Sequence, residues 1–270
     1  MWRLTCVVLT RSSVAEHAAA HAYDGIVRPT IREASSSDDA MMDAIAREGD
    51  ASADANYLAL VRSQAGRFVV AESHGRVVGF GGVVDVDGVA MLCDLFVAAN
   101  HRGAGLGTRL LRELFEGSSR RMTFSSKHPA AVAAYRRIGM APRWRLLYLR
   151  GVAVGGGREL PVDTWRHGRA SLVEEMARQG GHVSTDVVSM PDESGIWIAR
   201  LQGARPEEAL AAALAGLERG TVVTMCTPEH SSIAAWAQGS GFSVSGYDTF
   251  CATSDAHIPD DLHCLDPGVA

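Results

Sequence analysis

The stretch Met91–Gly117, MLCDLFVAANHRGAGLGTRLLRELFEG, decides how this chain is read. An apolar run ending at Val97 gives way, through Arg102-Gly103-Ala104-Gly105-Leu106-Gly107-Thr108, to a helical pattern. Leu106, Leu110, Leu111, Leu114 and Phe115 recur at helical spacing, and Gly117 can close the helix. The helix therefore begins at the glycines. Its free N–H groups and the positive end of its dipole attract anions, and glycines let phosphate oxygens approach the backbone directly. Gly103, Gly105 and Gly107 are placed to serve such a cradle.

Spacing separates the phosphate cradles that compete for this stretch. A Walker loop ends in Gly-Lys-Ser/Thr, whereas Gly107 is followed by Thr108-Arg109. A dinucleotide fingerprint from Gly103 or Gly105 would need a small residue where Thr108 or Leu110 stands. It also wants an acid about 20 residues on, which RRMTFSSKHP does not offer. A sharp strand-to-helix turn alone would need one glycine, not three.

Outward from the glycines the pattern is regular. Upstream, TIREA reads as a strand, Ser36–Asp39 as a helix start with DAMMDAIARE as its body, and Asp54–Arg62 as a second helix. RFVVAES, RVVGFGGVVDV and VAMLCDLFVA are strands joined by His74-Gly75 and Asp87-Gly88, an antiparallel meander. Downstream come the strand RMTFSS, a helix from Pro129 to Ile138 closed by Gly139, and the strand RWRLLYLRG. The order is β-α-α-β-β-β-α-β-α-β.

Gly155-Gly156-Gly157 marks a boundary near 150–157. Beyond it we expect a helix from Asp163 to Gln179, strands at DVVSM and GIWIARL, a helix at PEEALAAALAGLE, a strand at TVVTMC, a helix at SSIAAWAQGSG and a strand at FSVSGYDTFCAT. The expected organisation is a loosely attached extension over 1–28, a first domain over 29–152 and a second over 158–270. Val132-Ala133-Ala134-Tyr135, closed by Gly139-Met140, is echoed by Ile233-Ala234-Ala235-Trp236, closed by Gly241-Phe242. That suggests a duplicated domain.

The chain has 270 residues, 47% hydrophobic and 21% charged, which suits two globular units with their own cores. A net charge of -5, with scattered arginines and Lys127 as the one lysine, argues against a nucleic-acid partner. Five widely spaced cysteines (Cys6, Cys93, Cys226, Cys251, Cys264) suggest neither disulfides nor zinc, and fit a reducing cytoplasm. The apolar start MWRLTCVVLT is cut off by Arg11 and Ser12, too short for a signal peptide or membrane span. His182, His230 and His257 show no metal-ligand spacing.

Arg102-x-x-Gly105-x-Gly107, preceded by Leu95-Phe96-Val97 and followed by an amphipathic helix, resembles the pyrophosphate loop of the GNAT acyl-CoA N-acyltransferases. The segment His128–Met140, HPAAVAAYRRIGM, is similar to that family's second motif, Asn-x-x-Ala-x-x-x-Tyr-x-x-x-Gly-Phe, with His128 for asparagine and Met140 for phenylalanine. The resemblance covers about 29–150. It implies an α/β fold with a mixed, mostly antiparallel sheet flanked by helices, and the echo implies tandem GNAT-like folds.

By this resemblance the cosubstrate is acetyl-CoA. Its pantetheine arm would lie beside Leu95, Phe96 and Val97 like an added strand. Its pyrophosphate would rest on the N–H groups of Gly103, Ala104, Gly105, Leu106, Gly107 and Thr108, with Arg102 at the loop's entry. His128 puts in doubt the usual contact to the pantetheine arm. From spacing alone Tyr135 reads equally as an aromatic filling the gap between helix and sheet. In the family's motif it is the residue that protonates the leaving thiolate, a task a phenol with reference pKa about 10 can perform. Asp94, on the strand face of Phe96, is the first choice to accept the amine's proton, with Glu72 and Asp85 as weaker alternatives.

The second half lacks alternating glycines, and Pro206, Glu207 and Glu208 would repel a pyrophosphate. Trp236, aligned with Tyr135, has no hydroxyl. A degenerate partner domain that shapes the acceptor pocket or a homodimer surface is expected. The activity implied is N-acetylation of a small amine acceptor by direct attack, and the alternative is a non-catalytic acyl-CoA-binding sensor.

Overall fold

The computed structural model describes residues 28–49, 51–126, 129–156 and 163–269. The expected extension before Arg28, and His128, lie outside these. The first half runs β1 (Thr30–Glu33), α1 (Asp39–Arg47), α2 (Ala55–Arg62), β2 (Gly66–Ser73), β3 (Arg76–Val86), β4 (Val89–Val97), α3 (Leu106–Leu114), β5 (Arg121–Ser125), α4 (Pro129–Arg137) and β6 (Ala141–Val152). This is the order read from the sequence. The second half runs α5 (Ala170–Arg178), β7 (His182–Val183), β8 (Val187–Asp192), β9 (Gly195–Gln202), α6 (Pro206–Gly216), β10 (Val222–Pro228), α7 (Ser232–Gly239), β11 (Ser243–Ala252) and β12 (Leu262–Cys264). The helix expected from Asp163 starts only at Ala170, after Arg169 takes a left-handed conformation at φ 69° that interrupts the helical path. Two short strands, β7 and β12, carry too few residues to give a periodic signal.

Instead of two separate sheets, the strands form one, in the order β1-β2-β3-β4-β5-β11-β6-β10-β9-β8-β7, with β12 beside β9. β6 of the first half and β11 of the second have each crossed to the other. β11 pairs with β5 through Cys251 opposite Thr123, and β6 pairs with β10 through Leu149 opposite Met225. β6 and β11 pair with each other between them. The fold is thus a fusion of two mostly antiparallel α/β units through exchanged strands, and each unit's sheet is completed by the other's chain.

Helices cover both faces. On one face α3 and α4 seal the first half, with Leu95, Leu106, Leu110, Leu114 and Tyr135 buried together. On the same basis α6 and α7 seal the second half around Ile198, Leu210, Leu214 and Ile233. The opposite face is a single core shared by both halves, in which Tyr57, Phe96 and Phe124 meet Leu172, Met176, Trp197 and the C-terminal Leu265 and Val269. This shared inner face determines what can reach the first half's reactive edge.

Candidate active site

The site begins with a defect in β4. Gly82 stands opposite Asp94 and Val83 opposite Leu92, so Cys93 is an extra residue that bulges the strand. β4 and β5 run parallel and pair only from Ala90–Arg121 to Leu92–Thr123, where the Thr123 hydroxyl donates to the Leu92 carbonyl at 3.1 Å. Beyond Leu92 the strands part. The Ala98 N–H donates to Val78 O at 3.0 Å, which sets the alternation along β4. The N–H groups of Phe96 and Ala98 therefore face β3, and those of Leu95 and Val97 face the open edge. The predicted binding strand thus divides by direction: Leu95 and Val97 are buried on the α3/α4 face, Phe96 on the inner face.

The glycine stretch follows at once. Gly103 has φ 84° and Gly105, the residue capping α3, has φ 80°. A side chain at either would meet no protein atom within 4 Å, so the space over the loop is open. Gly107 is helical and buried in the first turn of α3, and Thr108 is half-buried behind it. Ala104 is exposed at the loop's crest. Arg102 turns back: its Nε donates to Val97 O at 2.7 Å, and Glu48 lies 3.9 Å from its Nη2. Glu48 also accepts from the Ala99 N–H at 2.8 Å. These bonds brace the loop against the end of β4. A bare turn with left-handed glycines, an open edge beside it and a helix mouth behind it fit a diphosphate carried on an extended amide arm.

Tyr135 and Asp94 sit on opposite faces of the sheet. Tyr135, on α4, is fully buried with Leu95, Val97, Leu106 and Met140. Asp94, 3% exposed, lies on the inner face, where its Oδ2 accepts from the Tyr57 hydroxyl at 2.8 Å. Tyr57 is held in place because Asp54 caps α2, accepting from the N–H groups of Asn56 and Tyr57 at 3.0 Å. Burial pushes the Asp94 carboxyl up from 3.8 to about 7, against the Tyr57 hydrogen bond, which favours the charged form. The weaker alternatives are otherwise engaged: Glu72 accepts from Arg32 Nε at 2.9 Å, and Asp85 accepts from the Gly88 N–H at 3.0 Å in the β3–β4 turn.

A stability prediction follows from Asp94. Its carboxyl keeps a proton in the folded chain up to about pH 7, whereas unfolded it releases that proton near its ordinary value of 3.8. Between these values the folded state binds more protons, so stability falls as pH rises and levels off above about 7. Melting temperatures from pH 5 to 8 should decline, and Asp94→Asn should flatten the decline; an equal slope in the variant would refute the assignment of this rise to Asp94.

The second half repeats the architecture and alters its contents. β9 and β10 are parallel and paired from Ile196–Val223 to Ile198–Met225, and Ala199 bulges between Ser189 and Val188 as Cys93 does in β4. Arg200 thereby occupies the place of Asp94. The turn into α6 carries Pro206 at its start and Glu207 and Glu208 in its first turn, in place of glycines. Trp236 does not take the position of Tyr135. Met140 N–H donates to Tyr135 O, and Phe242 N–H donates to Ala237 O, so the helix ends match with Ala237 in the place of Tyr135. Ala237 is buried and Trp236 half-buried. Tyr135 stands four residues before Gly139 and Ala237 four before Gly241, and neither Trp236 nor Ala237 carries a hydroxyl.

Among the basic residues near α4, Arg145 is paired with Glu229 at 2.7 Å. A cavity of about 310 Å³ lies apart from the open edge, at the start of α7 among Trp144, His230, His257 and His263. Among the described residues no three His, Cys, Asp or Glu side chains are grouped to hold a metal ion, and no helix is long and apolar enough to cross a membrane.

The model of the Acetyltransferase (GNAT) family matches residues 34–140, which include the bulged strand, the glycine turn and α4. No curated protein matches the chain. Among solved structures, a candidate acetyltransferase of Pyrococcus horikoshii is 16% identical, with a TM-score of 0.68 over 93% of this chain and 98% of that one. A GCN5-related N-acetyltransferase of Sphaerobacter thermophilus is 13% identical, with a TM-score of 0.50 over 84% of this chain and 95% of that one. Both share the fold across the two halves.

Proposed function

Residues 34–140 belong to the acetyltransferase (GNAT) family, and from that premise we propose that the chain moves an acetyl group from acetyl-CoA to the primary amine of a small molecule or peptide, at a single site in its first half. The open edge of β4 running into the left-handed glycines carries this reading. Acetyl-CoA supplies the activated acyl group when bound. Leu95 presents its N–H and C=O groups for the pantetheine arm, and the turn from Gly103 to Thr108 presents N–H groups for the diphosphate.

The chemistry falls to three groups. The Val97 N–H is the donor for charge that develops on the acyl oxygen. Asp94, with its carboxyl near neutrality, accepts the proton released by the attacking amine, and Tyr57 fixes the carboxylate's direction. Tyr135 returns a proton to the departing sulfur from the α3/α4 face. The base and the acid act from opposite sides of the gap that begins at Leu92 and Thr123, which keeps the two proton transfers apart.

The experiment is calorimetry with acetyl-CoA on the full chain, followed by release of free thiol in the presence of amino acids, polyamines, aminoglycosides and peptide N-termini. One acetyl-CoA per chain and turnover with at least one amine are expected. Two equivalents, or no binding, would contradict a single first-half site.

A further inference from the structure

The backbone at the end of β4 is accounted for group by group. Val97 O accepts from Arg102 Nε at 2.7 Å, the Ala98 N–H donates to Val78 O at 3.0 Å, Ala98 O accepts from the His101 N–H at 2.9 Å, and the Ala99 N–H donates to Glu48 at 2.8 Å. Every main-chain polar group from Val97 O to the Ala99 N–H is therefore held. The Val97 N–H, facing the open edge, is where the strand's unbonded groups end. An extended ligand can pair along the edge at Leu95, but it finds no acceptor at Val97, because that carbonyl is already taken.

Two side chains complete this arrangement from outside the strand. Glu48 caps the C-terminal end of α1, where the helix dipole disfavours a carboxylate, and Arg47 beside it is drawn back onto Asp43 at 2.8 Å. Glu48 reaches across 51 residues to Ala99 and sets the same Oε2 3.9 Å from Arg102 Nη2. The helix that carries it is itself fixed, since Met42, Ile45 and Ala46 are packed into the inner core with Phe96. The Arg102 side chain is only 13% exposed, whereas Gly103, Ala104 and Gly105 are exposed. A guanidinium that is bonded to a carbonyl and faces a carboxylate has much of its charge offset before any diphosphate arrives.

We propose that Glu48 and Arg102 are positioning residues for acetyl transfer: together they lock the peptide between Val97 and Ala98 and so aim the Val97 N–H, and Arg102 is a strut of the strand's end, not a ligand of the diphosphate. This rests on the acetyltransferase reading, which sets the Val97 N–H against the acyl oxygen. A preorganised donor meets developing charge without having to reorient, so loosening it costs rate and leaves ground-state binding nearly as it was. Arg102 acts through one N–H of a rigid planar fork. A lysine, a point charge on a flexible stem, keeps the charge and loses that geometry.

The test uses the full chain and measures acetyl-CoA affinity by calorimetry beside kcat with an amine that the wild type acetylates. In Arg102→Met and Arg102→Lys kcat should fall by about 30-fold, within the ~10²-fold that a misplacement of 1 Å costs. The dissociation constant for acetyl-CoA should change by less than about threefold in both, and its salt dependence should match the wild type's, because a charge contact to the diphosphate would be screened by salt. Glu48→Ala should lower kcat by about tenfold. Glu48→Gln still offers an oxygen to the Ala99 N–H and should recover most of that loss. Melting curves verify that the variants are folded. An affinity loss of about tenfold or more in Arg102→Met, full recovery of rate by lysine, or tighter acetyl-CoA binding in Glu48→Ala, as a released guanidinium turning to the diphosphate would give, assigns Arg102 to the diphosphate and overturns the proposal. An unchanged kcat in both Arg102→Met and Glu48→Ala overturns it as well. Failure of acetyl-CoA to bind the wild type, or binding with no amine acetylated, would instead remove the acetyltransferase reading beneath it.

Discussion

Tyr135→Phe is expected to lower kcat by about 10²–10⁴-fold, the range for a positioned proton donor, while acetyl-CoA binds as before. The ring is fully buried among Leu95, Val97, Leu106 and Met140, and phenylalanine keeps that packing. Only the hydroxyl is lost. A residue that merely filled the gap between α4 and the sheet would show little change in kcat on losing that oxygen. Single-turnover thiol release, with cofactor affinity measured separately by calorimetry, distinguishes the two. Unchanged turnover would leave Tyr135 as a packing residue and the thiolate without its proposed donor. A wild type that binds acetyl-CoA firmly and turns over no amine would point to the sensing reading instead.

Gly105→Val should weaken acetyl-CoA binding by about 100-fold, equivalent to about 2.7 kcal/mol, roughly one or two charge-assisted hydrogen bonds. Two effects add. Gly105 holds φ 80°, which a β-branched residue adopts only at a cost of about 1–2 kcal/mol or more. Its side chain would also project into the open space over the turn, where no protein atom lies within 4 Å. Gly117 supplies the control. It has φ 75°, also with open space around it, at the opposite end of α3. Gly117→Val should cost a similar few degrees in melting temperature and leave acetyl-CoA affinity unchanged. Equal losses of affinity in both variants would mean that strain, and not the cradle, sets the effect.

The local parts of this site could be read from residues alone. Alternating glycines at a strand-to-helix turn dictate left-handed backbone whatever surrounds them, and Gly103 and Gly105 adopt it. The 3.6-residue pattern of Leu106, Leu110, Leu111 and Leu114 fixes which face of α3 is buried, because a helix interacts with itself before anything else. Asp54 ahead of an apolar run announces a capped helix, and that cap is what points Tyr57 at Asp94. The Tyr–Asp pair had no local signal: 37 residues separate its members. The near-neutral carboxyl of Asp94 is likewise a product of burial, which no short window of sequence contains.

Within its own 270 letters the chain determined the order of its first-half elements, the glycine turn and the position of the buried tyrosine, since each depends on neighbours within a turn or a strand. Tertiary structure alone decided that β6 and β11 each cross to the other half, that β12 pairs with β9, and that Asp266 is buried. Those outcomes depend on which unpaired strand edges meet and which carboxylates are taken out of water. Both are set by partners at least 60 residues away, where hydrophobic periodicity carries no information.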